Sequence, residues 1–275
     1  MIPSPMSSSI TSPITSIESL RAALGLWRQG LARAWAPLLV YASIYAVGLA
    51  APTSLPLGLL LVVVELLVWA VVSGALMRLA LADRHPGDPA FRLGPAGLQW
   101  TGIETRLLGA RLLLVLLLFL ILVAAVFSMM LVGVVVAATT GQAPKPAAGF
   151  LTTPAGVAIA LVALTFTLVT VWITTRLALS SPATVDLGAV QAFSTLALTR
   201  RPGAWRLLVW MPVLTAGVFA LGYALRWVTQ VGGLAPGAAA AARVAYAVLA
   251  ALVQTPLAAG VSAHAYRRLK AAEAA

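Results

Sequence analysis

Residues 37–77 read PLLVYASIYAVGLAAPTSLPLGLLLVVVELLVWAVVSGALM, with Glu65 as the single charge. An α-helix rises about 1.5 Å per residue and the hydrocarbon core of a bilayer is about 30 Å thick, so roughly 20 apolar residues cross it once. The run is long enough for two crossings. It breaks at Ala51-Pro52-Thr53-Ser54-Leu55-Pro56, where two prolines and two hydroxyl residues end one helix and begin another. The pattern predicts spans over 36–51 and 57–80, joined as a hairpin, and Pro37 suits the first turn of the first.

Four further spans follow from the same test, over 110–138, 153–175, 205–229 and 238–264. No charge occurs between Leu112 and Pro144, and Thr139-Thr140-Gly141-Gln142 closes the third span. The Gly/Pro-containing stretch from Gln230 to Gly237 separates the last two. The expected fold is all-α and polytopic, about six transmembrane helices in three hairpins. Composition agrees: 61% of residues are hydrophobic and 9% charged, against roughly a quarter charged in soluble domains. So little charge cannot clothe a water-facing surface, and lipid is the solvent for much of this one. A single membrane domain is expected over 16–270, with a short C-terminal tail over 271–275. The Ser/Pro/Thr-rich residues 1–15 lack the basic and apolar regions of a cleaved signal peptide and read as a disordered tail.

The net charge of +11 is the excess of 18 Lys and Arg residues over seven Asp and Glu. With six spans, only Lys145, Arg226 and Arg243 fall on one side of the membrane and all the others on the opposite side. Basic loops stay cytoplasmic, so both termini are expected in the cytoplasm of a bacterial inner membrane. The same asymmetry accounts for the charge without a polyanion, and nucleic acid is excluded as a partner. Cysteine is absent, which removes disulfides and thiol chemistry.

Each hairpin is expected to follow an amphipathic interfacial helix. Thr15-Ser16-Ile17-Glu18 has capping-box spacing, and Ile17, Leu20, Leu24, Trp27 and Leu31 recur at steps of three and four with Arg21 and Arg28 beside them. Such a helix lies flat, apolar side chains in lipid and arginines at the headgroups. Leu98–Leu108 and Val185–Arg201 are the other two segments of this kind, and Pro202-Gly203 ends the latter before Trp205. Arg176, Arg200, Arg201, Trp205 and Arg206 are the further residues expected at headgroup level.

Residues 176–206 read RLALSSPATVDLGAVQAFSTLALTRRPGAWR. Arg176 ends a span, Ser181-Pro182-Ala183 follows, and Leu198-Thr199-Arg200 with Trp205-Arg206 opens the next. This resembles the link between helices four and five of a bacterial six-helix membrane family that includes the membrane domain of some glycerophosphodiester phosphodiesterases. Arg201-Pro202 stands where that pattern has Gly, and Asp186 where it more often has Glu. The resemblance implies a six-helix fold and an inner-membrane location. It does not imply hydrolysis, because no phosphodiesterase domain is present.

Chemistry is sparse. The seven acidic residues are scattered, no nucleophile–His–acid set or phosphate loop is present, and no cofactor or metal is implied. Asp83, His85 and Asp88 share a Pro/Gly-containing polar loop best read as solvated. Glu65 stands apart: an ionised carboxylate in lipid needs a partner. Arg226 and Arg243 approach from the same side and are the partners expected, as a structural clamp. The threonines from Thr165 to Thr175 are expected to bond back along their own helix or to a neighbouring helix, as packing and not as a pathway. With little chemistry and much packing surface, the expected role is a non-enzymatic accessory subunit, scaffold or assembly factor contacting lipids and other membrane subunits. The alternative is a small transporter or lipid-handling protein using Glu65.

Overall fold

The computed structural model describes residues 16–50, 54–141, 153–200, 204–231 and 236–274. The expected N-terminal tail and the capping Thr15 lie outside them. The described residues form an all-α fold in the order α1 (Ser16–Arg33), α2 (Trp35–Ala50), α3 (Leu55–Leu81), α4 (Gly102–Thr140), α5 (Pro154–Leu177), α6 (Ser180–Leu187), α7 (Leu196–Thr199), α8 (Ala204–Leu208), α9 (Trp210–Val231), α10 (Pro236–Leu249) and α11 (Thr255–Ala274). A π-helical stretch, Ala250–Gln254, joins α10 to α11, and three single 3-10 turns lie between α3 and α4. Five helical stretches are long and apolar enough to cross a membrane, or six if α1 and α2, bent by 93° where they meet, form one. The chain therefore has the long apolar helices of a multi-pass membrane protein.

Packing is concentrated at one end, called here the basic end because Arg78, Arg84, Arg176 and Arg206 lie there. Val72, Leu76 and Leu81 of α3 meet Ile103 and Leu107 of α4, Ala183 and Val185 of α6, Leu208 of α8, and Ala263, Tyr266 and Leu269 of α11. Toward the far end α3 and α4 are less covered, although α4 still packs on α5 there, where a Cβ on Gly133 would lie 3.3 Å from Ile159 Cδ1. The buried residues of α3 all lie from Ala70 onward, and most of α4 beyond Ala110 is uncovered. Phe127 and Leu131 are 70% and 65% exposed. At 39 residues, α4 is about 58 Å long, well beyond the hydrocarbon thickness, so its first turns belong to the basic end rather than to a span.

The three expected interfacial helices have different fates. α1 exists, and the face it turns to the protein is a small-residue stripe, Ser19, Ala23 and Gly30 with Leu26; of the apolar stripe expected in lipid, Ile17 and Leu24 are exposed and Leu20, Trp27 and Leu31 are partly covered. α1 packs chiefly across α11. At the closest point a Cβ on Gly260 would lie 2.4 Å from the Ala23 Cα, so glycine is what permits the contact. Glu18 pairs with Arg268 at 3.0 Å, and the Trp27 Nε1–H donates to the Leu252 carbonyl at 2.8 Å. Ile17 and Leu24 are left exposed, with Arg21 and Arg28. Gly97, at φ +81°, slips under the bend against Ala34, where a Cβ would come within 2.9 Å of the Ala34 Cα.

Leu98–Leu108 is not a separate helix. The Thr101 side chain accepts from the Ile103 N–H, the Glu104 carboxylate accepts from the Thr101 N–H, and the helix so capped runs unbroken to Thr140. Val185–Arg201 is not one helix either: α6 stops at Gly188 in the left-handed conformation, and a non-helical link leads to α7. Of the two courses open to the α5 threonines, Thr165, Thr167, Thr170 and Thr175 take the first, each donating to the carbonyl four residues back.

Candidate functional site

Three polar clusters lie along α3, from its basic end toward its middle. The first gathers on Asp186 of α6. His85 Nε2 lies 2.9 Å from one carboxylate oxygen, the Tyr266 hydroxyl donates to the other at 2.8 Å, and Arg84 Nε stands 3.5 Å away. His85 stacks on Phe91 at 4.1 Å. Asp83, His85 and Asp88 therefore do not converge: Asp83 faces Arg267 at 3.9 Å and Asp88 accepts from the Ala90 N–H. Sequence proximity puts three potential ligands in one loop, but the tertiary fold gives each a different partner. Among the described residues no group of three metal-binding side chains forms. A His–Asp pair with a tyrosine is capable of proton transfer, but no nucleophile is hydrogen-bonded to His85 among the described contacts. Its visible work is to tie the α3–α4 link, α6 and α11 together.

The second cluster is sealed. Arg78 and Glu104 have no exposed side-chain area and form a two-point pair, one contact short and the other 2.9 Å. Arg78 also donates through Nε to the Ala90 carbonyl and through Nη2 to Thr101 Oγ1, both at 2.8 Å. The second Glu104 oxygen takes the Thr101 N–H and hydroxyl, both at 2.8 Å. Partnering on this scale is what keeps two buried charges tolerable. The approach depends on Gly74, one turn from Arg78, since a Cβ there would lie 2.1 Å from Glu104 Oε1.

The third cluster contains Glu65, half-buried on α3. The polar groups that act on it electrostatically are Arg111 of α4 and Tyr41 of α2. The Arg111 guanidinium lies 4.8 Å from the ring centre of Trp69, one turn along α3 from Glu65, and its buried Nε has no hydrogen-bond partner. Tyr41 stacks on Tyr45, and Tyr45 meets Tyr246 of α10. The cation beside Glu65 is thus one that the charge asymmetry assigns to the basic side of the membrane. Arg243 is exposed on α10, and the side chain of Arg226 lies outside the described atoms. Helices α3 and α4 carry paired charges of opposite sense: α3 supplies Glu65 and Arg78, α4 supplies Arg111 and Glu104.

Of the residues expected at headgroups, Arg21, Arg28, Arg200, Trp205 and Arg206 are exposed. Arg176 is partly covered, its guanidinium 4.4 Å from the Trp172 ring centre. Trp27 is drawn partly inward by its bond to Leu252, and Arg201 lies outside the described residues. The Arg78–Glu104 pair is not legible in the spacing, although Thr101-Gly102-Ile103-Glu104 has the capping-box pattern that marks the start of α4. No family model matches the chain, and no curated protein and no solved structure matches it at a significant level.

Proposed function

We propose that this chain is a non-enzymatic multi-pass protein of a bacterial inner membrane, with six spans and both termini cytoplasmic, that serves as an accessory subunit, scaffold or assembly factor of a membrane complex. The orientation follows from the arginine asymmetry. The resemblance of residues 176–206 to the six-helix family supports the same fold and location. One observation carries the functional reading: the basic end is packed and clamped, while beyond it α3 and α4 present broad apolar faces that no other described element covers. A protein built this way offers membrane-embedded contact surface and little chemistry.

Photo-crosslinkers placed at Phe127 and Leu131 in the native membrane test the idea. A discrete protein adduct at both positions is expected. Lipid adducts alone, together with recovery of a lone, monodisperse chain across several mild detergents, would overturn it.

Glu65 favours a second reading, a small transporter or lipid-handling protein. Its support is the half-buried carboxylate facing Arg111 and Tyr41, since intramembrane ionisable groups commonly mark pathways. The chain has no cysteine, so Glu65→Cys reports directly. Reaction with a membrane-impermeant thiol reagent favours a pathway, and protection from it removes this reading.

A further inference from the structure

The last long apolar helix is broken near its middle. Between α10 and α11 regular pairing gives way to the π-helical Ala250–Gln254, where the Thr255 N–H reaches the Ala250 carbonyl five residues back. Pro256 follows. In an α-helix the N–H at that position would take the Leu252 carbonyl, and proline has no N–H to give. An unpaired carbonyl is costly in hydrocarbon, and membrane helices keep such breaks by finding a donor elsewhere. Here the donor comes from 225 residues away in the chain, the Trp27 Nε1–H of α1 at 2.8 Å.

α1 lies over this break. Leu252, Pro256 and Gly260 recur at steps of four, and each has an α1 residue against it. Trp27 bonds Leu252, a Cβ on Gly30 would lie 3.9 Å from the Pro256 Cβ, and Ala23 meets Gly260. The other polar tie from α1 to this helix, Glu18 with Arg268, is partly exposed and therefore weak. Trp27 is the tie that reaches the break itself. On its outer side α1 exposes Arg21, Leu24 and Arg28. Across the break, α10 carries Tyr246 against Tyr45, which stacks on Tyr41 beside Glu65.

We propose that α1 is a strap on the last span: the Trp27 indole holds the α10–α11 break at one angle, and lifting it from the Leu252 carbonyl frees α10 to swing and to part Tyr246 from Tyr45. Kinks at prolines and π-turns exceed about 20°, and a change of that size over the ~18 Å of helix between Leu252 and Ala240 displaces the latter by ~6 Å. The chain has no cysteine, so Val134→Cys on α4 and Ala240→Cys on α10, both exposed, can carry a spin-label pair in the full chain. Pulsed electron–electron resonance in lipid nanodiscs then reads the swing. The parent should give one narrow distance. Trp27→Phe should broaden it or add a population displaced by up to ~6 Å. Pro256→Ala restores the missing N–H and keeps the Cβ under Gly30, so Trp27→Phe in that background should return the parent distance. An unchanged distribution in Trp27→Phe would overturn the strap. Equal broadening in both backgrounds would overturn it too, because the indole would then only be filling space. If Trp27→Phe fails to fold, benzothienylalanine at position 27, a tryptophan isostere without the N–H, makes the same comparison.

Discussion

Replacing Glu104 by Gln should be among the most damaging single-atom changes in this chain. The substitution keeps the shape and turns one oxygen into an NH₂ group, which then faces donors from either Arg78 or Thr101. It also leaves the Arg78 charge without its counter-ion in a position with no exposed side-chain area. Breaking a buried pair in this way typically costs about 3–5 kcal/mol. The pair is sealed by contact but lies near the basic end rather than deep in the fold, so the lower figure, ~3 kcal/mol, is the expected loss. At about 2–4 °C per kcal/mol for chains near this size, the melting midpoint should fall roughly 6–12 °C. The eight tryptophans allow unfolding to be followed by intrinsic fluorescence in a mild detergent.

The double variant Arg78→Met with Glu104→Gln separates charge from shape. The glutamine introduced at position 104 can still accept the Thr101 N–H, since Gln serves as well as Glu in a capping box, and no uncompensated charge remains. The double variant should therefore be more stable than the sum of the two single losses, by at least ~2 kcal/mol of coupling. A Glu104→Gln protein within about 1 kcal/mol of the parent, or strict additivity in the cycle, would refute the assignment of Arg78–Glu104 as the clamp between α3 and α4.

Gly74→Ala should destabilise by about 1–3 kcal/mol through overpacking against the Glu104 carboxylate, and a variant that melts with the parent would show the site to be roomier than described. Gly260→Ala meets Ala23 backbone and should loosen α1, read as faster proteolysis or hydrogen exchange in residues 16–33. Gly25→Ala, on the α1 side of that contact with nothing within 4 Å, should be neutral or stabilising by ~0.5–1 kcal/mol; equal behaviour of the two would remove the close-contact argument. Asp186→Asn weakens its links to His85, Tyr266 and Arg84, and should lower stability by about 1–3 kcal/mol while leaving helix content by circular dichroism unchanged.

Much of the architecture is written in one dimension. Spans depend on run length, and breaks depend on Pro, Gly and short polar stretches, so helices near 36–51, 57–80 and 153–175 are visible within a few residues of α2, α3 and α5. The back-bonding threonines of α5 are legible for the same reason, because their partners lie one turn away. The continuous α4 is obscured because Glu104, Arg106 and Arg111 look like a headgroup boundary. They are instead the polar start of one helix, with Glu104 capping it and Arg78 neutralising Glu104 from α3.

Hydrophobicity is silent on which face of α1 meets the protein. The helix meets α11 through residues small enough for backbones to touch, and close approach selects Ser, Ala and Gly over large apolar side chains. Partner choice for a buried charge lies further still from the sequence. The segment shows that Glu65 needs a partner, because an isolated charge in hydrocarbon is costly. Which arginine, carboxylate or tyrosine answers depends on the register between α2, α3 and α4. That register is set by packing at the basic end, where residues more than twenty positions apart come within hydrogen-bonding distance.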